Sequence, residues 1–350
     1  MKNNKHINYL TILFEDNIST VLILFVVTFI IFSIINPSFA KISNLQSMAF
    51  QFSELGLFSI AMSIAIIPGG IDLSIVAIAN LSSIFMAIFI KNIINSYFIF
   101  NNIYGVIFFA IFIGLLVGII CGFINGLLIG YLEIPAILAT LVTMTIYNGL
   151  SIGITKGTTL ASMPKELTNM INYSIFYIPI PLIVFLLVGL IVHVILMMNK
   201  LGWNIFLIGT NLKASILTGI KTKKSILISH IIIGIIASIS GIVILGRTNS
   251  ASAQYGNSYI LTSILVVILG GINILGGKGI FIGVIISVVF LQTLSTGFNF
   301  ILQGISGSNF FKDFIWGLLL IIMIFINKNS YFQTWFKGLF NFNNNDKIKN

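Results

Sequence analysis

From Asn92 to Leu132 the chain reads NIINSYFIFNNIYGVIFFAIFIGLLVGIICGFINGLLIGYL, 41 residues without a charged side chain. A helix needs about 20 apolar residues to cross a hydrocarbon core. This run therefore predicts a membrane-spanning helix, centred near residue 116, and the flanking sequence repeats the pattern. Uncharged stretches also cover 17 to 40, 55 to 71, 73 to 90, 134 to 155, 167 to 199, 225 to 246, 248 to 277, 279 to 311 and 314 to 327. Trimmed at Asn, Pro and Gly clusters, they give ten candidate helices, centred near residues 27, 58, 82, 116, 144, 188, 236, 267, 290 and 319. The third and tenth are short.

Composition points the same way. Of 350 residues, 57% are hydrophobic and 7% charged, against about 25% charged in an ordinary soluble domain. A chain this apolar cannot wet its surface as a globule. The expected fold is an all-α polytopic membrane protein of about ten transmembrane helices, several broken by Gly or Pro. Residues 18–327 are expected to form one transmembrane domain with a polar segment at about 200–224, flanked by an N-terminal end at 1–17 and a tail at 328–350.

Cytoplasmic loops collect Lys and Arg. With ten crossings and the N-terminus inside, the inner side holds Lys2, Lys5, Lys200, Lys213, Lys221, Lys223, Lys224, Lys278, Lys328, Lys337, Lys347 and Lys349. The outer side holds Lys41, Lys91, Lys156, Lys165, Arg247 and Lys312. Twelve against six puts both termini in the cytoplasm. The net charge of +10 is thus a matter of loop placement rather than nucleic-acid binding, since no basic stripe or arm occurs. Lys2 and Lys5 are followed by Glu15, Asp16 and a long apolar run from Ile18 to Ile35, and Asn36 to Lys41 lacks a cleavage pattern, so the first helix is expected to remain uncleaved.

Much chemistry is missing. Cys121 is alone, which excludes a disulfide framework. His6, His193 and His230 lie apart, without acidic or Cys partners at ligand spacing, and argue against a metal site. His193 and His230 fall in predicted crossings, where a proton relay and a ring bonded to a nearby carbonyl or hydroxyl are the two readings. The string Gly276-Gly277-Lys278-Gly279 lacks the Ser or Thr of a phosphate loop, so the chain does not hydrolyse ATP unaided. No constellation of an enzyme is present. Ion-coupling candidates are Glu54, Asp72 and Glu133, each near a predicted helix end where an interfacial role fits equally.

Four segments interrupt apolar runs with Gly, Pro and small polar residues. Broken helices at membrane depth line cavities, because their freed backbone groups must meet protein or water. In Ile67-Pro68-Gly69-Gly70-Ile71-Asp72-Leu73-Ser74, Pro68 and the glycines end one helix and Asp72 and Ser74 can cap the next. A tight hairpin at the inner surface and a pathway element both fit. In the second segment, Asn125-Gly126 and Glu133-Ile134-Pro135 lead to Thr140, Thr143 and Tyr147, an i, i+3, i+7 face that suits sugar hydroxyls or helix packing. The third runs from Gly209 through Asn211, Lys213, Ala214 and Leu217 to Gly219 and Ile220, a short helix with Gly209 and Gly219 as stops, or an ordinary positive loop. The fourth, Gly270-Gly271-Ile272-Asn273 to Gly276-Gly277-Lys278-Gly279, has too many glycines for one helix. Its Gly-Gly-Ile-Asn matches Gly-Gly-Ile-Asp of the first at an offset of 201 residues, on the same predicted side.

In order and spacing, Gly69 to Ser74, Asn125 to Leu128, Ile134-Pro135, Ala139 to Met144, Gly209-Thr210-Asn211 with Ala214 and Gly219-Ile220, and Gly270-Gly271 with Gly276 to Gly279 resemble the ribose-type permeases of bacterial ABC importers, over about residues 45 to 325. The resemblance implies a non-catalytic pore subunit in the bacterial inner membrane that pairs with a second permease. It further implies an ABC ATPase subunit that carries ATP and Mg, an extracytoplasmic sugar-binding protein, and no cofactor on this chain. Ribose or a similar simple sugar is the implied cargo; galactose, xylose, a nucleoside or a furanose-type signal, and an ion-coupled carrier, are the alternatives. Gly209, Asn211, Lys213, Ala214, Leu217, Gly219 and Ile220 would dock on the ATPase. Gly69, Gly70, Asp72, Ser74, Asn125, Thr140, Thr143, Tyr147, Gly270, Gly271, Asn273, Gly276 and Gly277 would shape the pathway. The chain departs from the family at Leu212-Lys213, where an acidic residue is common, and at Lys278, where Arg is common and offers a bidentate fork that Lys lacks.

Overall fold

A bilayer offers no water to backbone N–H and C=O groups, so a chain this apolar satisfies them within helices. The computed structural model describes residues 17–95, 102–304 and 308–328. The expected cytoplasmic ends, with His6 and the terminal lysines, lie almost wholly outside them. The elements run α1 (Asn17–Ile35), α2 (Ile42–Ile66), α3 (Ile75–Asn95), α4 (Ile103–Gly130), α5 (Ala136–Thr155), β1 (Leu160–Ala161), α6 (Lys165–Asn172), β2 (Ser174–Ile175), β3 (Ile178–Pro179), α7 (Ile180–Met198), α8 (Lys200–Thr210), α9 (Leu212–Leu217), α10 (Thr222–Thr248), β4 (Ser250–Ala251), α11 (Ser258–Leu269), α12 (Phe281–Ile301) and α13 (Ser308–Lys328).

Each of the ten expected centres falls inside a helix. Among the described residues, seven of these helices (α2, α3, α4, α5, α7, α10 and α12) are long and apolar enough to cross a membrane, while α11 and the Ser19–Ile35 part of α1 are shorter apolar helices. The third helix, expected to be short, has 21 residues. Its uncharged run stops at Lys91, yet the helix continues, because a long Lys stem near a helix end carries its charge out to the interface.

α2 is the core. Of its most apolar 18-residue window 83% is buried, against 28–33% for α4, α5 and α7, which turn broad apolar faces outward. Buried hydroxyls on α2 bond back into their own helix, Ser53 to the Ala49 carbonyl (2.9 Å), Ser59 to Leu55 (2.7 Å) and Ser63 to Ile60 (2.7 Å), so none is orphaned.

α10 packs against α4 through glycines spaced every fourth residue. A Cβ on Gly118 would lie 2.3 Å from the Gly234 carbonyl oxygen, one on Gly122 2.3 Å from that of His230, one on Gly126 2.8 Å from Leu227 Cα and one on Gly130 2.8 Å from the Lys223 carbonyl oxygen. Lipid tails are as apolar as Leu, so membrane helices associate by such close backbone approach rather than by the hydrophobic effect. The start of α10, with α8 and α9, forms a lysine-rich end. At the opposite end β1 pairs with β4, Leu160 against Ala251, and buried Asn80 on α3 donates to the carbonyls of Ala253 (3.1 Å) and Tyr255 (2.9 Å), holding the turn between α10 and α11.

Candidate functional site

Two helices, α2 and α11, end in the same way. After α2, Gly69 takes a φ of +92°, its N–H donating to Ile66 (2.8 Å) and that of Gly70 to Ala65 (3.1 Å). After α11, Gly271 takes a φ of +87°, its N–H donating to Ile268 (3.0 Å) and that of Ile272 to Val267 (3.2 Å). This double closure is a Schellman cap, whose left-handed residue is glycine because a Cβ would be strained there. The caps correspond at an offset of 202, one more than the aligned Gly-Gly-Ile strings. Past them Asp72 and Asn273 resume the offset of 201, each accepting through Oδ1 the N–H two residues on, from Ser74 (2.9 Å) and Leu275 (2.9 Å). The copies then diverge. The first enters α3, whereas the second folds back, with Asn273 N–H donating to Lys278 (3.0 Å).

The two breaks touch. Gly277 N–H donates to the Ile67 carbonyl at 2.8 Å, and a Cβ on Gly276 would lie 2.6 Å from Gly69 N. The third participant is Gly209, where a Cβ would fall 2.1 Å from the Ile67 oxygen and 2.4 Å from Gly277 N. Gly209 is thus not the helix stop that its composition suggested. α8 runs through it to Thr210, and Asn211 both ends α8 and caps α9, its Oδ1 accepting the Ala214 N–H at 3.0 Å. Gly209 is small because three backbones meet on it.

Beside this junction lies a buried polar chain drawn from three segments. Oδ1 of fully buried Asp72 also accepts from Ser74 Oγ (2.6 Å), and Ser74 Oγ accepts from Asn125 Nδ2 of α4 (2.7 Å). Thr140 Oγ1 of α5 accepts the Leu73 N–H (3.1 Å) and donates to Ala136 (2.8 Å). Thr143, Tyr147 and Thr140 share one buried face, with Thr143 Oγ1 donating to the Thr140 carbonyl (3.3 Å) and Tyr147 OH to that of Cys121 (3.2 Å). The face exists, and its hydroxyls are engaged with backbone. Two acceptors of the chain, Asp72 Oδ2 and Asn125 Oδ1, are buried without a partner among the described residues. Asp72→Ala would leave two donors of Ser74, its N–H and its Oγ–H, without their acceptor and should cost about 1–3 kcal/mol. A lowered thermal midpoint in detergent checks this, and Asp72→Asn, which keeps an acceptor oxygen, should cost less.

α9 ends in a third Schellman cap. Gly219 has a φ of +81°, its N–H donating to Ile216 (3.0 Å) and that of Ile220 to Ser215 (3.1 Å). Between its caps α9 exposes Lys213, Ala214, Ile216 and Leu217, the last at 88%. Glu133 reaches Lys223 at 2.8 Å with both side chains exposed, and the ammonium holds its carboxyl below the usual carboxylate range. That contribution is present above the ordinary value of 4.5 and is lost as pH falls through the lowered one; for so exposed a pair it is small.

Glu54 was legible, but its partners were not. Fully buried in α2, it is clasped by Arg247 Nε and by Nη2 (3.0 Å), while Tyr255 OH (3.2 Å) and Tyr259 OH (3.0 Å) donate to the same Oε2. The missed signal was that Arg247 is the chain's single arginine, the side chain suited to a bidentate carboxylate clasp. His230 is buried with Nδ1 3.0 Å from the Ile226 carbonyl, and His193 packs on Phe281 with ring centroids 6.2 Å apart.

A family model described as the branched-chain amino acid transport system / permease component matches residues 44–324. The chain is 33% identical over 301 residues to the ribose import permease protein of Bacillus subtilis (strain 168), covering 85% of this chain and 89% of that one. It is 28% identical over 332 residues to the autoinducer 2 import system permease protein of Photorhabdus temperata, covering 93% and 95%. The permease of the same title from Escherichia coli (strain SMS-3-5 / SECEC) is 27% identical over 308 residues, covering 86% and 88%. No solved structure matches.

Proposed function

Because the chain belongs to the permease-component family of ABC importers whose model spans residues 44–324, we propose that it forms half of the transmembrane pore of an ATP-driven monosaccharide importer. Ten crossings with both termini in the cytoplasm complete the reading, in a bacterial inner membrane. The cargo is ribose or a similar simple sugar, as the name of the Bacillus subtilis relative suggests. A furanose-type signal is the second reading, suggested by the autoinducer 2 permeases.

One observation carries the mechanism. Gly209, one residue inside the junction of α8 and α9, lies against both glycine breaks at once. A partner ATPase that grips exposed α9 and closes on ATP would move α8, and α8 cannot move without shifting the Ile67 and Gly277 backbones. The breaks would then redirect α3 and α12, opening the buried chain of Asp72, Ser74, Asn125 and Thr140, whose unpartnered oxygens can accept hydrogen bonds from cargo hydroxyls. Glu54 and Glu133, two of the three carboxylates an ion-coupled carrier would use, are matched by Arg247 and Lys223, which supports an ATP-driven importer instead.

The test is recovery of partners. Tagged protein drawn from its own membrane in mild detergent should bring down a tandem ATPase and an extracytoplasmic sugar-binding protein, whereas their absence from folded preparations would sink the reading. In the reconstituted complex Lys213→Glu should lower ATP-dependent uptake at least about tenfold, the effect expected if this chain's Lys213 faces an acidic group of its own ATPase, since like charge at a docking surface costs several kcal/mol. The protein should remain in the membrane; unchanged uptake counts against α9 as the docking element.

A further inference from the structure

The end opposite the lysine-rich one holds a polar site that the mechanism above does not use. A cavity of about 400 Å³ opens between α2, α11, α12 and α13, lined among others by Gln51, Tyr259, Gln292, Asn299, Lys312 and Trp316. Gln292, Ser295 and Asn299 stand at i, i+3, i+7 on α12, and Lys312 and Trp316 at i, i+4 on α13, so each helix turns a polar face toward one space. Polar side chains at membrane depth are costly and mark cavities.

The lining is built for hydroxyls. Gln292 Nε2 donates to Gln51 Oε1 at 2.6 Å, and Lys312 Nζ to Asn299 Oδ1 at 2.7 Å. Each amide keeps further capacity: the Gln51 and Asn299 amino groups still have protons to donate, and the Gln292 carbonyl still accepts. Trp316 is 5% exposed and braced by Phe298 at a centroid distance of 6.2 Å. Lys312 is offset by Asp313 in the same lining, and Glu54 stands outside it, spent on Arg247 and the tyrosines. A space of net zero charge that offers donors and acceptors, with a largely buried indole at its edge, matches a molecule whose hydroxyls both donate and accept. It matches an ion or a branched aliphatic side chain poorly.

We propose that this cavity is a binding site for a small neutral polyol of monosaccharide size, held by Gln51, Gln292 and Asn299 and backed by Trp316. That the cavity opens outward rests on the importer reading; its binding chemistry does not. In the importer it would receive sugar before the inner chain of Asp72 opens.

The test uses the full chain in lipid nanodiscs, with Trp203→Phe and Trp335→Phe leaving Trp316 as the sole indole. Titration with D-ribose or D-galactose should change its emission saturably in the millimolar range, and L-leucine should not. Gln292→Leu and, separately, Asn299→Leu should weaken the response at least about tenfold, the worth of a lost hydrogen bond, while Thr145→Ala on the exposed face of α5 leaves it unchanged. No saturable response to either sugar, a response to leucine instead, or indifference to both Leu variants overturns the site. Binding without ATP-dependent uptake by the complex keeps the site and overturns the importer. Uptake at full rate in both variants without binding does the reverse.

Discussion

Alanine at position 209 should bring ATP-dependent uptake to background while the protein still reaches the membrane. The added methyl would stand 2.1 Å from the Ile67 oxygen and 2.4 Å from Gly277 N, between the donor and acceptor of the 2.8 Å bond that joins the two breaks. No rotamer relieves this, since the obstacles are backbone. Overpacking of this kind costs about 1–3 kcal/mol, and a buried N–H left unbonded adds about 1–3 kcal/mol. The cheaper outcome is that α8 withdraws from the junction, so ATP hydrolysis by the complex continues but no longer responds to the binding protein. Gly149→Ala is the control, because nothing lies within 4 Å of a Cβ there. Equal uptake by the two variants would remove Gly209 from the coupling route.

The second large effect is on folding. Arg247→Met leaves the Glu54 carboxylate fully buried with only the hydroxyls of Tyr255 and Tyr259 to answer it. Removing one partner of a buried pair costs about 3–5 kcal/mol, enough to deplete the folded population seen by fluorescence-detected size exclusion. Glu54→Gln added to Arg247→Met should recover most of that population, because it removes the charge that made the first change costly. Failure of the double variant to recover would show that Arg247 acts through contacts other than Glu54.

These two residues also show where sequence reasoning stops. Apolar runs became helices because a bilayer leaves the backbone no other choice, and the helix stops at Gly69 and Gly219 were legible because turn chemistry is local. Gly209 looked like another punctuation mark. Its smallness answers instead to Ile67 and Gly277, 142 and 68 residues away in the chain, and no local pattern records that. Glu54 and Arg247 are 193 residues apart, so neither announces the other. Thr140, Thr143 and Tyr147 were placed on one face correctly, but a hydroxyl face that packs and one that lines a path have the same spacing. The polar faces of α12 and α13 around Gln292 and Lys312 were present in the sequence too, overshadowed by the uncharged runs that marked their helices.

The interlock of α4 and α10 reaches beyond packing. At 1.5 Å per residue these helices of 28 and 27 residues are each about 40 Å long, and a hydrocarbon core is about 30 Å thick. The surplus is taken up by tilt or by emergence into the headgroups. Bound backbone to backbone from Gly118 to Gly130, the two helices must lean together. Membrane thickness therefore acts on them as one beam, whose foot at Gly130 stands beside Lys223 and the start of the lysine-rich end. A thicker or thinner bilayer sets the angle of that beam, and through it the resting posture of the lysine-rich end that α8 and α9 share.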